Sequence, residues 1–403
     1  MMQKSFADRI DRICEGVRSW LDNEDGILDA SVERTVTGRF FPQHDVMHML
    51  EQADRTITPQ ALSSWVTRVS TNEKGITGMD NSTNKATISD QSTNRTTPVK
   101  PVTKVLCLHA GNLPMVGLQD IIAALLSGAT YHGKLSSHDP WLLDGLLRVL
   151  KKRLPDQVGH WSIRLEELDA IRADAVLFAG SQASVNKVTK RIDELGLSDE
   201  HARLLARTAR FSIARLEEDD FKSEKEHLSK KLIEAMLRYE GKGCRSVALV
   251  VADRVLSDFA GYLLEAADVF IRYNPSSQLK TPGVTYWKSY LKSTGREVYD
   301  LGGHIIADDR DLIGKENVIC WIKGSDVEVT RYAEKFGPQL QSVYVNADHA
   351  AMTKKVTPRL LASKEIRLEP LSEAQAPPVD WRPDGVDVLS WLLGRGSSIE
   401  TPE

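Results

Sequence analysis

From residue 103 onward, short apolar runs alternate with stretches of helical periodicity, and this alternation leaves few architectures open. Val105 to His109 reads as a strand and Leu118 to Ser127 as a helix. The pair repeats at Ala129 to Lys134 and Trp141 to Lys152, at Ala175 to Ala179 and Ser184 to Leu195, and at Phe211 to Leu216 and Glu224 to Tyr239. Repeated βα steps of this kind build a parallel sheet with helices on both faces. The pattern resumes with a strand at Val247 to Val251 and a helix at Ser257 to Ile271, then strands near Glu297 to Tyr299, Val318 to Ile322 and Ser342 to Val345. A second α/β unit is expected there. Ligands of such sheets bind beyond the carboxyl ends of the strands, where the motifs considered below are expected to sit.

Before this alternation, apolar spacings such as Phe6, Ile10, Ile13 and Val17 make residues 4–66 mostly helical. Residues 71–102 are rich in Thr, Ser, Asn and Lys and end in Pro98 and Pro101. Such a stretch buries too little apolar surface to offset its ordering entropy, so a mobile loop is expected. Basic and acidic residues nearly balance, 52 against 56, which gives no field for nucleic acid. The longest apolar runs, such as Ile121 to Leu126, are far too short to span a bilayer. Met1 to Ile10 has no signal-peptide core, and the four cysteines form no CxxC pair. Together these imply a cytoplasmic protein in a reducing compartment.

Among those cysteines, Cys14, Cys107 and Cys320 lie in apolar or helical patterns and read as small core residues. Cys244 differs. It follows Gly241-Lys242-Gly243 and precedes Arg245-Ser246. Glycines permit close backbone approach to a substrate, and a neighbouring cation is expected to favour the thiolate, the nucleophilic form.

Asn112, in His109-Ala110-Gly111-Asn112-Leu113-Pro114, follows a strand and could donate to an oxyanion, or simply make a turn. Lys134 ends the next strand ahead of Ser136 and Ser137, a setting for phosphate or ribose, or for a solvated loop with Asp139 capping the helix beyond. Gly180-Ser181, between a strand and a helix, fits an anion site or a plain turn and N-cap. His44 and His48 stand at i and i+4, but Asp45 replaces the Glu of the zinc-protease pattern and no third ligand is evident, so no metal is expected. No GxGxxG occurs either.

Taken in order, three segments carry a resemblance. Gly111 to Asp120 with Ser127-Gly128 and Lys134 to Pro140, then Gly241 to Ser246, then Gln375-Ala376-Pro377 with Asp384-Gly385-Val386-Asp387 resemble the acyl-CoA reductase family of the luciferase-operon fatty acid reductase (LuxC-type), within the aldehyde dehydrogenase superfamily. The match covers about 104–394. It implies an aldehyde dehydrogenase-like fold: a nucleotide-binding α/β domain over 103–216, a catalytic α/β domain over 217–360 and a C-terminal segment over 361–403, with the helical N-terminal part over 1–70 expected to join the cofactor domain and the polar loop at 71–102 lying outside the pattern.

The resemblance implies a role for each matching residue. Cys244 is the nucleophile and Asn112 an oxyanion donor. Lys134 and Ser136 lie in the segment that contacts the adenosine ribose. Ser137 stands where NAD-preferring members often carry a glutamate, so NADPH is the expected cofactor. Gly180 and Ser181 match the turn near the pyrophosphate, and Glu334 and Phe336, in Glu334-Lys335-Phe336-Gly337-Pro338, match a segment whose glutamate holds the nicotinamide ribose. The Glu-Leu-Gly-Gly segment of aldehyde-oxidising members is missing from Arg207 to Leu216. Hydrolysing an acyl-enzyme needs a base; exchanging acyl groups with CoA does not. The implied activity is reduction of a fatty acyl-CoA, or an acyl-carrier thioester, to aldehyde. Alternatives are a CoA-acylating aldehyde dehydrogenase running oxidatively and a noncatalytic acyl- or nucleotide-binding relative. Homo-oligomers and an acyl-transferring or acyl-activating partner protein are further implications.

Overall fold

The computed structural model describes residues 2–71, 100–168, 171–222, 224–275, 282–355, 360 and 366–395. The loop expected at 71–102 falls, from 72 to 99, outside them. Five strands, Lys104–Leu108 (β1), Thr130–Lys134 (β2), Val158–Ser162 (β3), Ala173–Ala179 (β4) and Ser198–Arg207 (β5), form one sheet. Every pairing is parallel and the order is β3-β2-β1-β4-β5. The order reverses between β1 and β4, and at such a switch point a crevice opens between adjacent carboxyl ends.

One face of this sheet carries four helices from the N-terminal region, Met2–Leu21 (α1), Ile27–Thr37 (α2), Gln43–Thr56 (α3) and Pro59–Thr71 (α4), with Leu118–Ser127 (α5) and Leu142–Arg153 (α6). Ile13, Trp20, Leu62 and Trp65 join Val105, Cys107, Tyr131 and Leu146 in a single core. Helix α5 is buried from Asp120 to Leu126, which is why it reads as apolar all round rather than striped. Left-handed glycines bracket it, Gly117 at φ 108° and Gly128 at φ 87°. Gln182–Glu194 (α7) covers the opposite face through Val185 and Ile192.

The second sheet contains Phe211–Leu216 (β6), Val247–Ala252 (β7), Val298–Asp300 (β8), Ile305–Ala307 (β9), Val318–Lys323 (β10), Leu340–Val345 (β11) and Leu368–Pro370 (β12). Its order is β12-β11-β6-β7-β10-β9-β8, with only β8 antiparallel to its neighbour. Lys225–Leu237 (α8) and Ala260–Tyr273 (α9) pack on one face, Pro282–Ser293 (α10) and Asp326–Phe336 (α11) on the other. Both units are therefore doubly wound.

Two details depart from the sequence expectation. Strand β6 lies in the second sheet, so the change of sheet falls between Arg207 and Phe211 rather than after 216. Strands β3, β5, β9 and β12 carried no clear signal. Strand β5 reads Ser-Asp-Glu-His-Ala-Arg at its start and forms the sheet edge, where charged residues are tolerated and block further pairing. After His349–Lys355 (α12) and β12, the chain returns to the first unit, where it forms Val388–Leu392 (α13). There Val388, Leu389 and Leu392 enter the first core, and Arg68 Nη2 pairs with Asp387 at 2.9 Å. No helix among the described residues is long and apolar enough to cross a membrane.

Candidate active site

The carboxyl edge of the first sheet faces the amino edge of the second. Between them lies a cavity of about 590 Å³. The loop after β1 contributes Asn112 and Leu113, the turn after β4 contributes Gly180 and Ser181, and the segment before β7 contributes Lys242, Cys244 and Arg245. Met49, Ala53 and Ile57 supply an apolar wall, and Pro377 to Pro383 of the C-terminal segment close the other side. Asn112, Gly180 and Ser181 sit at strand carboxyl ends as expected. Cys244 instead precedes the amino end of β7 (Val247–Ala252).

The chain reaches Cys244 through an unusual turn. Tyr239 and Glu240 both adopt φ 56° and Gly241 follows at φ 66°. A left-handed conformation costs a non-glycine residue about 1–2 kcal/mol, so the surroundings must hold it. Tyr239 Oη meets His48 Nδ1 at 2.8 Å, His304 Nε2 meets the Glu240 carbonyl at 3.1 Å, and Lys242 Nζ pairs with Glu240 at 2.6 Å. His48 is thus packed against the segment leading to Cys244, and burial with the Arg238 charge lowers its pKa to about 4. Among the described residues no group of three or more His, Cys, Asp or Glu is arranged to hold a metal.

Asn112 Nδ2 donates to the Lys242 carbonyl at 2.8 Å, and Ser212 Oγ donates to the Cys244 carbonyl at 3.0 Å. The loop carrying Asn112 is itself pinned: Met115, at φ 55°, donates its N–H to the buried Asp139 carboxylate at 2.6 Å. Asp139 therefore holds the Asn112 loop, a role the helix-cap reading did not include.

The electrostatics correct one expectation. A cation beside Cys244 was expected to favour its thiolate, yet burial pushes the thiol up to about 11. Arg245 and Arg207 pull it down and Asp384 opposes them. Burial prevails because the sulfur loses hydration that Arg245 and Arg207 together do not restore. Arg245 lies 5.2 Å over the Trp381 ring, and Trp381 Nε1 donates to Glu369 at 2.8 Å.

The sequence reading missed two further groups in the cavity. Arg207, the last residue of β5, forks onto Asp120 in the first turn of α5, with Nη1 to Oδ1 at 2.8 Å and Nη2 to Oδ2. Asp384 accepts from the Thr208 and Ala209 N–H groups at 2.8 and 3.1 Å. Neither pairing has a local signature, since Arg207 and Asp120 are 87 residues apart and Asp384 lies 176 and 175 residues from Thr208 and Ala209.

Lys134, Ser136, Ser137, Glu334 and Phe336 lie outside the cavity lining. Lys134 ends β2, half-buried, with its pKa lowered by burial. Ser136 Oγ accepts from the His138 N–H at 3.1 Å and Ser137 is exposed. The chain after β1 passes directly over this segment, since a Cβ on Gly111 would overlap Ser136 Oγ. Glu334 is exposed near the end of α11, and Phe336 meets Phe211 edge-on at 5.0 Å.

No protein-family model matches the chain, and no curated protein sequence does. Solved structures do. Aldehyde dehydrogenase 21 from Physcomitrella patens, in complex with its reaction product succinate, is 12% identical, with 94% of this chain and 79% of that one covered at a TM-score of 0.56. The aldehyde dehydrogenase KauB from Pseudomonas aeruginosa is 13% identical over 90% and 75% of the two chains, at 0.55. A protein assigned as a methylmalonate-semialdehyde dehydrogenase from Sinorhizobium meliloti 1021, complexed with NAD, is 13% identical over 88% and 76%, at 0.54. At these identities the likeness is one of architecture, and the chain has an aldehyde dehydrogenase-like fold.

Proposed function

We propose that this chain reduces a fatty acyl-CoA thioester to its aldehyde with NADPH, through an acyl-enzyme on Cys244. The observation that carries this reading is the placement of Cys244, Asn112 and the Gly180-Ser181 turn around one cavity at the switch point of the first sheet. The Cys244 sulfur attacks the thioester carbonyl carbon and CoA leaves. Asn112 has a second amide N–H beyond the one given to Lys242, and with the Cys244 backbone N–H it steadies the oxyanion. Met49, Ala53, Ile57, Leu113, Val116 and Val379 offer an alkyl chain an apolar wall.

The residues near the carboxyl edge suit a nicotinamide nucleotide. The first turn of α7 carries no side-chain cap, because Ser181 Oγ bonds Ser184 Oγ instead, so its N–H groups suit a pyrophosphate. Lys134, Ser136 and Ser137 would take the adenosine ribose and, with no carboxylate at 137, a 2′-phosphate; Glu334 and Phe336 would meet the nicotinamide end. Such a nucleotide supplies hydride to the adduct's carbonyl carbon. Cys244 would hold the acyl group for that reduction and part from it as the free thiol when aldehyde leaves.

The test is direct. Purified protein with acyl-CoAs from acetyl to palmitoyl should consume NADPH, form aldehyde and carry an acyl mass on Cys244. A Cys244→Ala variant that kept full activity would overturn the mechanism.

A further inference from the structure

An acyl-enzyme has two fates, transfer or hydrolysis, and hydrolysis needs a group that takes a proton from water. Among the described residues, the carboxylates lining the cavity are Asp120 and Asp384. Asp384 gives Oδ2 to the backbone N–H groups of Thr208 and Ala209, and the Gln341 amide N–H reaches its Oδ1 at 2.8 Å. Asp120 is 2% exposed, and both of its oxygens are taken by the Arg207 fork. Arg207 is itself fixed on the cavity wall. Ala179 of β4 is its register partner, and its carbonyl accepts from the Gly180 N–H at 3.2 Å, so the guanidinium springs from the strand beside the Gly180-Ser181 turn. Among the described residues the cavity lining contains no histidine and no glutamate.

We propose that Arg207 determines the fate of the acyl-enzyme: by occupying both oxygens of Asp120, it withholds the one cavity carboxylate that side chains alone restrain, and so keeps water from hydrolysing the thioester. The inference rests on the acyl-enzyme reading above and deepens it. Without Arg207, water adds to the thioester carbonyl carbon while its proton passes to Asp120. The carbon–sulfur bond then breaks, sulfur takes the proton from Asp120, and the acyl group leaves as the free acid. No oxidant or reductant is involved. Arg207 acts through Asp120 and is a specificity-determining residue rather than a catalytic one.

The experiment follows the lifetime of the acyl-enzyme. Wild-type protein, Arg207→Met and the double variant Asp120→Asn/Arg207→Met are loaded with acyl-CoA and freed of excess CoA without NADPH. Adduct mass and free acid are then followed between about pH 7 and 9, a range that spans known pKa values of uncompensated buried carboxyls. The adduct should persist in wild type, decay at least about ten-fold faster in Arg207→Met with stoichiometric free acid, and persist again in the double variant. Arg207→Lys, which leaves one Asp120 oxygen free and keeps the cation, should decay at an intermediate rate and serves if the methionine variant does not fold. Equal lifetimes in wild type and the Arg207 variants, or unchanged fast decay in the double variant, would overturn the inference while leaving the acyl-enzyme intact. Absence of any Cys244 adduct in wild type would overturn the acyl-enzyme reading, and this inference with it.

Discussion

Asn112 Nδ2 stands 2.8 Å from the carbonyl of Lys242, two residues before Cys244. The loop after the first strand of one sheet is thereby tied to the Cys244 segment that leads into the other. That bond matters because the segment enters through the left-handed residues Tyr239, Glu240 and Gly241, whose conformation is held by contacts rather than by local preference.

Replacing Asn112 by Ala removes the tether and, on the proposed function, one oxyanion donor together. Acylation of Cys244 by acyl-CoA should slow by about 10²–10³-fold. Asn112 is exposed, so stability should fall by no more than about 1 kcal/mol. Single-turnover acylation and urea denaturation separate the two effects.

Alkylation of Cys244 reports its protonation state. The folded thiol titrates near 11, above the free value. The thiolate fraction is therefore small at pH 7, about 10⁻⁴, and grows as pH rises toward that value. Iodoacetamide labelling should accelerate accordingly. The Asp384→Asn variant keeps a residue type tolerant of φ 51° and removes a charge that raises the thiol. Its labelling curve should shift to lower pH; a shift to higher pH would contradict the electrostatics described.

Gly117 tests the packing beneath the Asn112 loop. It sits at φ 108°, and a Cβ there would overlap the ring of the buried His109. Gly117→Ala should cost more than about 2 kcal/mol through strain and overpacking. Gly196, at φ 64° with open space around it, should lose no more than about 1 kcal/mol on the same change. Paired denaturation curves decide this.

Ser137 tests the cofactor assignment. Ser137→Glu places a carboxylate where a 2′-phosphate would lie, so KM for NADPH should rise by about ten-fold or more, from like-charge repulsion. KM for NADH should stay level or fall. Equal KM changes for the two cofactors would reject the placement of the ribose.

Local patterns were sufficient for the helices and strands that alternate strongly. Helix Leu118–Ser127 and strand Phe211–Leu216 emerge with the limits their periodicity implies. Strand Ser198–Arg207 did not, because an edge strand presents polar residues and its pairing with Ala173–Ala179 is not local. In the candidate site, Cys244, Asn112 and Gly180-Ser181 were legible because glycine, asparagine and serine beside strand ends are chemically conspicuous. Arg207 was not, and Asp120 and Asp384 stood in the resembling segments without a role, since what each charge does is set by a partner far away in the chain.

The amino-acid sequence by itself determined the two α/β units, the cysteine in its glycine-rich setting and the motifs at the strand ends, because periodicity and residue chemistry are local properties. Only the tertiary structure decided where the first sheet stops, which motifs share a cavity, and how charges balance around the sulfur. Those depend on burial and on pairs far apart in the chain: the same Arg245 that favours a thiolate in isolation is outweighed at Cys244 by desolvation, and Asp120, a free carboxylate on paper, is held on both oxygens by Arg207.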